Sequence, residues 1–91
     1  MKRFLIERNI PGVGRFDRQQ LKEASATSNA ALASLSGKVQ WVQSLVVDDK
    51  TFCEYLADTE ESVQEHARLS GFPANKVTEV RTVIEPMTAA A

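Results

Sequence analysis

The side chains in this sequence able to bind a metal or carry out acid–base and nucleophilic chemistry are few, and none falls into a recognised catalytic spacing. Cys53 stands alone in Thr51-Phe52-Cys53-Glu54-Tyr55. A cysteine becomes a nucleophile when a nearby cation or helix N-terminus stabilises its thiolate, and neither is evident beside Cys53, so a buried structural thiol is the plainer reading. His66 is the one histidine, in Glu65-His66-Ala67. Neighbours on a helix point about 100° apart, so Glu65 and His66 do not chelate together, and no HExxH or ExxH pair is present. A surface or interface imidazole is the corresponding plain reading of His66. Glu7, Gln43, Ser44, Glu54 and Tyr55 place polar groups in otherwise apolar stretches. Buried without partners they would cost free energy, so some must face a pocket or water. Glu7, Gln43, Cys53 and Tyr55 are the pocket-lining candidates, and Cys53 and His66 the candidate metal ligands.

The elements that must position these residues follow from pattern and punctuation. Lys2 to Arg8 reads as a strand running into a turn at Asn9-Ile10-Pro11-Gly12. Pro11-Gly12-Val13-Gly14 lacks the lysine and serine of a phosphate-binding loop, so its glycines serve the chain reversal. Asp17 and Gln20 form a capping box that opens a helix carrying Leu21, Ala24, Ala31, Leu32 and Leu35 at helical spacing, with Gly37 at its end. Its alanines and serines bury little area, so it should be held less firmly than the second helix. Val39 to Val47 and Thr51 to Ala57 are two strands of a hairpin with Asp48 to Lys50 as its loop, which would set Gln43 across from Tyr55 and Leu45 across from Cys53 on one face. Asp58 and Glu61 read as the second capping box, Val63, Ala67 and Ser70 as a buried stripe, and Gly71 with Phe72-Pro73 as the stop. Val77 to Ile84 is the last strand, closed by Pro86.

The order β-α-β-β-α-β predicts an α+β, ferredoxin-like antiparallel sheet with the first and third strands central and two helices on one face. Both hairpin strands carry apolar residues on both faces, so the face without helices needs a cover. A second sheet from a second copy would supply it, giving a homodimer of the dimeric α/β-barrel type.

Ninety-one residues, 43% hydrophobic and 25% charged, make one ordinary globular domain, expected over 1–86, with a short tail at 87–91. Eleven basic against twelve acidic residues, with no basic stripe, argue against a nucleic-acid partner. The apolar run Phe4-Leu5-Ile6 is cut by Glu7, so neither a leader nor a membrane span is expected. A single cysteine suits a reducing compartment, and a cytoplasmic location is the expectation.

Five stretches taken together carry a resemblance over almost the whole chain outside the first helix. They are Phe4-Leu5-Ile6-Glu7-Arg8, Val39-Gln40-Trp41-Val42-Gln43-Ser44, Asp48-Asp49-Lys50-Thr51-Phe52-Cys53, Glu65-His66-Ala67 and Gly71-Phe72-Pro73-Ala74. They resemble a family of small, largely actinobacterial, ferredoxin-like proteins of unknown function that includes a nickel-binding, nickel-responsive member. The resemblance implies the ferredoxin-like fold, homodimerisation and nickel as the bound ion, with no established enzymatic activity. Similar proteins often carry a histidine where Gln43 stands, and imidazole is a better nickel ligand than a neutral amide. Three functions follow as expectations: a cytoplasmic homodimer binding nickel or another divalent transition metal; a cofactor-free enzyme of the isomerase or monooxygenase type with its substrate in a dimer cavity, an analogy from fold alone; and a binding module without chemistry.

Overall fold

In a computed structural model of the protein, residues 1–90 are described. The element order is β1 (Lys2–Asn9), a short 3-10 turn (Val13–Arg15), α1 (Arg18–Ala33), β2 (Val39–Val46), β3 (Lys50–Ala57), α2 (Glu60–Ser70), β4 (Lys76–Val80) and a closing 3-10 turn (Pro86–Ala90). The four strands form one sheet in the order β2-β3-β1-β4, with every neighbouring pair antiparallel. This is the ferredoxin-like arrangement, with β1 and β3 at the centre as the chain order predicts.

Alternation along the two central strands decides what is inside. Phe4, Ile6 and Arg8 of β1 and Thr51, Cys53, Tyr55 and Ala57 of β3 are buried, and their registers pair Phe4 with Tyr55, Ile6 with Cys53 and Arg8 with Thr51. These side chains share the face covered by the helices. Leu35, Val39 and Val63 complete the core with them, and Trp41 packs against it. The residues between them, Arg3, Leu5, Glu7, Phe52, Glu54 and Leu56, lie on the opposite face and are half-exposed.

The first helix opens as its sequence predicts. Asp17 Oδ1 accepts from the Gln20 backbone N–H at 2.8 Å, and Gln20 Oε1 accepts from the Asp17 N–H at 2.9 Å. The second helix opens one residue later than predicted, because Thr59 is its N-cap and its hydroxyl accepts from the Ser62 N–H at 3.2 Å. Asp58 instead accepts from the Thr59 N–H at 2.7 Å, so the acidic side chain orders the cap from outside the helix. Gly71 ends α2 in the left-handed conformation, with φ of 78°, as the sequence indicates.

The predicted hairpin register is corrected. Val47 N–H donates to Lys50 C=O at 3.0 Å, so the loop is the two residues Asp48-Asp49 rather than three. Ser44 then faces Cys53, Leu45 faces Phe52 and Gln43 faces Glu54. A bulge at Val42 shifts the register so that Trp41 returns to the core face opposite Tyr55. The turn is clamped by the β1–α1 connection: Ile10 N–H and Gly14 N–H donate to the Asp49 and Asp48 carbonyls at 3.0 and 2.9 Å, and Gly12 N–H donates to Asp49 Oδ1 at 2.9 Å.

The last strand stops at Val80 rather than at Ile84. Val80 pairs with Arg3, near the start of β1, and beyond it the partner strand runs out, so 81–85 continue without a ladder. Val83, Ile84 and Met87 are consequently 59, 79 and 70% exposed. Of the predicted tail, 87–90 fall in the closing 3-10 turn and Ala91 lies outside the described residues.

Candidate functional site

A cavity of about 200 Å³ lies between α1 and the helix-bearing face of the sheet. Its floor is β1 and β3, from which Arg8, Thr51, Cys53 and Tyr55 project; Trp41, Ser44 and Val46 of β2 form one wall, and Ala24, Ser25 and Ser28 of α1 the roof. Small residues in the middle of α1 are what leave the space, since larger side chains there would fill it. Leu21 and Val46, 40 and 45% exposed, stand among the lining residues and connect it to the surface. The lining is almost wholly apolar.

Arg8 is the exception. It is 2% exposed, although arginine is rarely buried without a partner. Its position follows from strand alternation, which sends it to the same side as Phe4 and Ile6. Nη1 donates to the Pro73 carbonyl at 2.8 Å, and the guanidinium carbon lies 5.8 Å from the Tyr55 ring centre and 5.9 Å from that of Phe72. Nη2 is buried and has no hydrogen-bond partner. Among the described residues no carboxylate lies within ion-pair distance of this cation.

Tyr55 and His66 stack obliquely next to it, ring centres 5.0 Å apart. Burial pushes the Tyr55 phenol above its ordinary value, and the positive Arg8 opposes that shift. His66 is fully buried at 0% exposure, which corrects the expectation of a surface imidazole. The helical stripe of α2 is therefore Val63, His66 and Ala67 rather than Val63, Ala67 and Ser70 alone. Nε2 lies 3.2 Å from Ser28 Oγ on α1, and Nδ1 has no partner. Burial, and then repulsion from Arg8, lowers the His66 pKa, so the imidazole is neutral at neutral pH.

The residues singled out in the sequence divide between two faces. Cys53 and Tyr55 line the cavity, with Cys53 Sγ 3.3 Å from Thr51 Oγ1. Glu7 and Gln43 lie on the far side of the sheet: Glu7 is 3.9 Å from Lys50 Nζ, and Gln43 Nε2 donates to Glu54 Oε1 at 3.2 Å, where Glu54 also pairs with Arg3. Among the described residues no group of three or more His, Cys, Asp or Glu side chains is placed to hold a metal ion. His66 offers one unpartnered nitrogen and Cys53 a thiol already engaged with Thr51, so a closed transition-metal centre does not fit within one chain. No helix among the described residues is long and apolar enough to cross a membrane.

Arg8 is the residue that sequence reasoning missed. The signal was available: in Phe4-Leu5-Ile6-Glu7-Arg8 the strand period puts Arg8 in phase with Phe4 and Ile6, on the core face.

The fold recurs in a crystal structure of SCO4226 from Streptomyces coelicolor A3(2), with a TM-score of 0.75, 19% sequence identity, and coverage of 90% of this chain and 99% of that one. At that identity the likeness concerns the fold. No curated protein matches the chain. The family described as "Nickel responsive protein SCO4226-like" matches residues 4–80, a span that takes in β1 from Phe4 onward, the other three strands, both principal helices and every lining residue of the cavity. The chain belongs to the SCO4226-like family of nickel-responsive proteins.

Proposed function

We propose that this protein is a homodimeric, nickel-responsive binding protein of the cytoplasm that holds the metal between two copies of the chain. The observation that carries the reading is the uncovered sheet face. Leu5, Leu45, Phe52, Leu56 and Val80 make it apolar, and Glu7, Glu54 and Gln43 add oxygen donors among them. Glu7 stands diagonally from Glu54 across the β1–β3 pair, close enough for neighbouring side chains to act together. Packing two such faces would bury the apolar residues and bring two sets of carboxylates together, a donor count one chain does not reach. His66 and Cys53, enclosed on the other face, would take no part.

Oxygen donors bind nickel less strongly than imidazoles. A site built from Glu7, Glu54 and Gln43 would exchange its metal readily, which suits a response to changing supply.

Calorimetric titration of chelator-stripped protein with nickel, using cobalt and zinc as controls, tests the proposal when coupled to a mass measurement by light scattering. The expected result is a particle of twice the 10.1 kDa chain mass, with a saturable nickel heat that disappears in a Glu7→Gln, Glu54→Gln double variant. Absence of a specific nickel heat, or its survival in that variant, would overturn the assignment.

A further inference from the structure

We propose that the cavity beneath α1 is a binding site for a small organic monocarboxylate, with Arg8 as its counter-charge and the apolar walls as the receptor for its hydrocarbon part. This cavity is formed within a single chain and involves neither nickel nor the dimer.

A buried guanidinium is ordinarily neutralised by a carboxylate, because removing an unpaired cation from water is strongly unfavourable. Here Arg8 has one good hydrogen bond, to the Pro73 carbonyl, and the faces of two aromatic rings. These hold the cation in place without cancelling its charge. Nη2 is left with no acceptor at all. Such a group is satisfied by water or by the acceptor of a ligand, and an anion satisfies both the hydrogen bond and the charge.

The cavity that Arg8 lines states what else the ligand carries. Trp41, Val46, Phe16, Ala24 and Leu21 surround it with hydrocarbon, and its volume is about 200 Å³. Apolar cavities of about 150 Å³ admit benzene, so this one has room for a single ring, or a short acyl chain, bearing a carboxylate. A larger head such as a nucleotide phosphate does not fit, and a purely apolar ligand leaves Nη2 unsatisfied. Tyr55, whose ring centre lies 5.8 Å from the Arg8 guanidinium carbon, lines the same cavity and brings a phenol to its wall.

Trp41 is the one tryptophan of the chain and lines the cavity, so its fluorescence reports occupancy directly. Phenylacetate and hexanoate should each produce a saturable change, while 2-phenylethanol and 1-hexanol, which match them in size without the charge, should bind at least about tenfold more weakly. Arg8→Met should remove that preference for the acid. Ala24→Leu, which leaves Arg8 intact and fills the roof, should abolish binding of both classes. Equal binding of acid and alcohol would overturn the role of Arg8, and no saturable change with either would overturn the binding site itself. If Arg8→Met does not fold, the comparison of acid with alcohol on the unaltered protein still decides.

Discussion

At the scale of single residues, the interior is unusual for the two basic side chains it keeps, Arg8 and His66, on adjoining elements. Burial first, and then the positive charge of Arg8, keep the imidazole neutral. This has a consequence for pH. The folded pKa of His66 lies below the ordinary 6.5, so the unfolded chain takes up a proton that the folded chain refuses. Its contribution to stability is fully present above 6.5 and is lost progressively as pH falls below that value toward the folded pKa. Thermal unfolding followed between about pH 7 and pH 5 should show a falling midpoint, and His66→Leu should flatten the slope over that window. An equal slope in the variant would place the titration elsewhere, in the carboxylates. The sequence marked His66 and Cys53 as notable but gave no sign that His66 is enclosed, because its stripe on α2 also contains polar positions and its cover comes from Ser28 on α1, residues distant in the chain. Arg8 was legible from strand period alone, and its chemistry was not, because the missing carboxylate is a fact of tertiary structure.

The elements show where local rules suffice and where they fail. Strand order, the start of α1 and the stop of α2 at Gly71 follow from capping residues, glycines and periodicity, all of which act within a few positions, whereas α1 ends at Ala33 with Ser34 as its cap, short of the expected Gly37. The hairpin register does not. Val39 to Val47 carries apolar residues on both faces, so a slip of one residue has no obvious penalty in the pattern. The two-residue turn is selected instead by the loop after β1, whose backbone donors grip Asp48 and Asp49. Gly14 is critical to that grip: a Cβ there would stand 2.6 Å from the Val47 carbonyl oxygen and 2.8 Å from Asp48 Cα. Gly14→Ala must therefore displace the backbone of the turn, and denaturant unfolding should register a loss of about 1–3 kcal/mol. A neutral Gly14→Ala would mean that the turn is not clamped. The second cap makes a matching case: Thr59→Ala removes the acceptor for the Ser62 N–H and should cost about 1 kcal/mol, a loss that would be absent if the helix began at Asp58.

The whole molecule presents one finished face and one unfinished one. Helices cover Phe4, Ile6, Cys53 and Tyr55, while Leu45 remains 60% exposed and Phe52 and Leu56 half-exposed on the other side. A second copy could attach to the face or to an edge, and the edges are poor templates. The bulge at Val42 breaks the ladder of β2, and β4 is five residues long with Lys76 and Glu79 along it. Face-to-face packing of two sheets avoids both obstacles and buries the apolar residues that edge pairing would leave in water. Leu45 and Phe52 face one another across β2 and β3, so a charge at either enters the centre of the proposed contact. Leu45→Glu should convert a dimer to a monomer by light scattering while leaving the circular dichroism of the fold intact, because Leu45 takes no part in the core. Val42→Lys, at the bulge, should weaken the dimer less. If Leu45→Glu leaves the mass unchanged and Val42→Lys halves it, the contact runs along the edge, and the carboxylates of Glu7 and Glu54 would not be brought together across it.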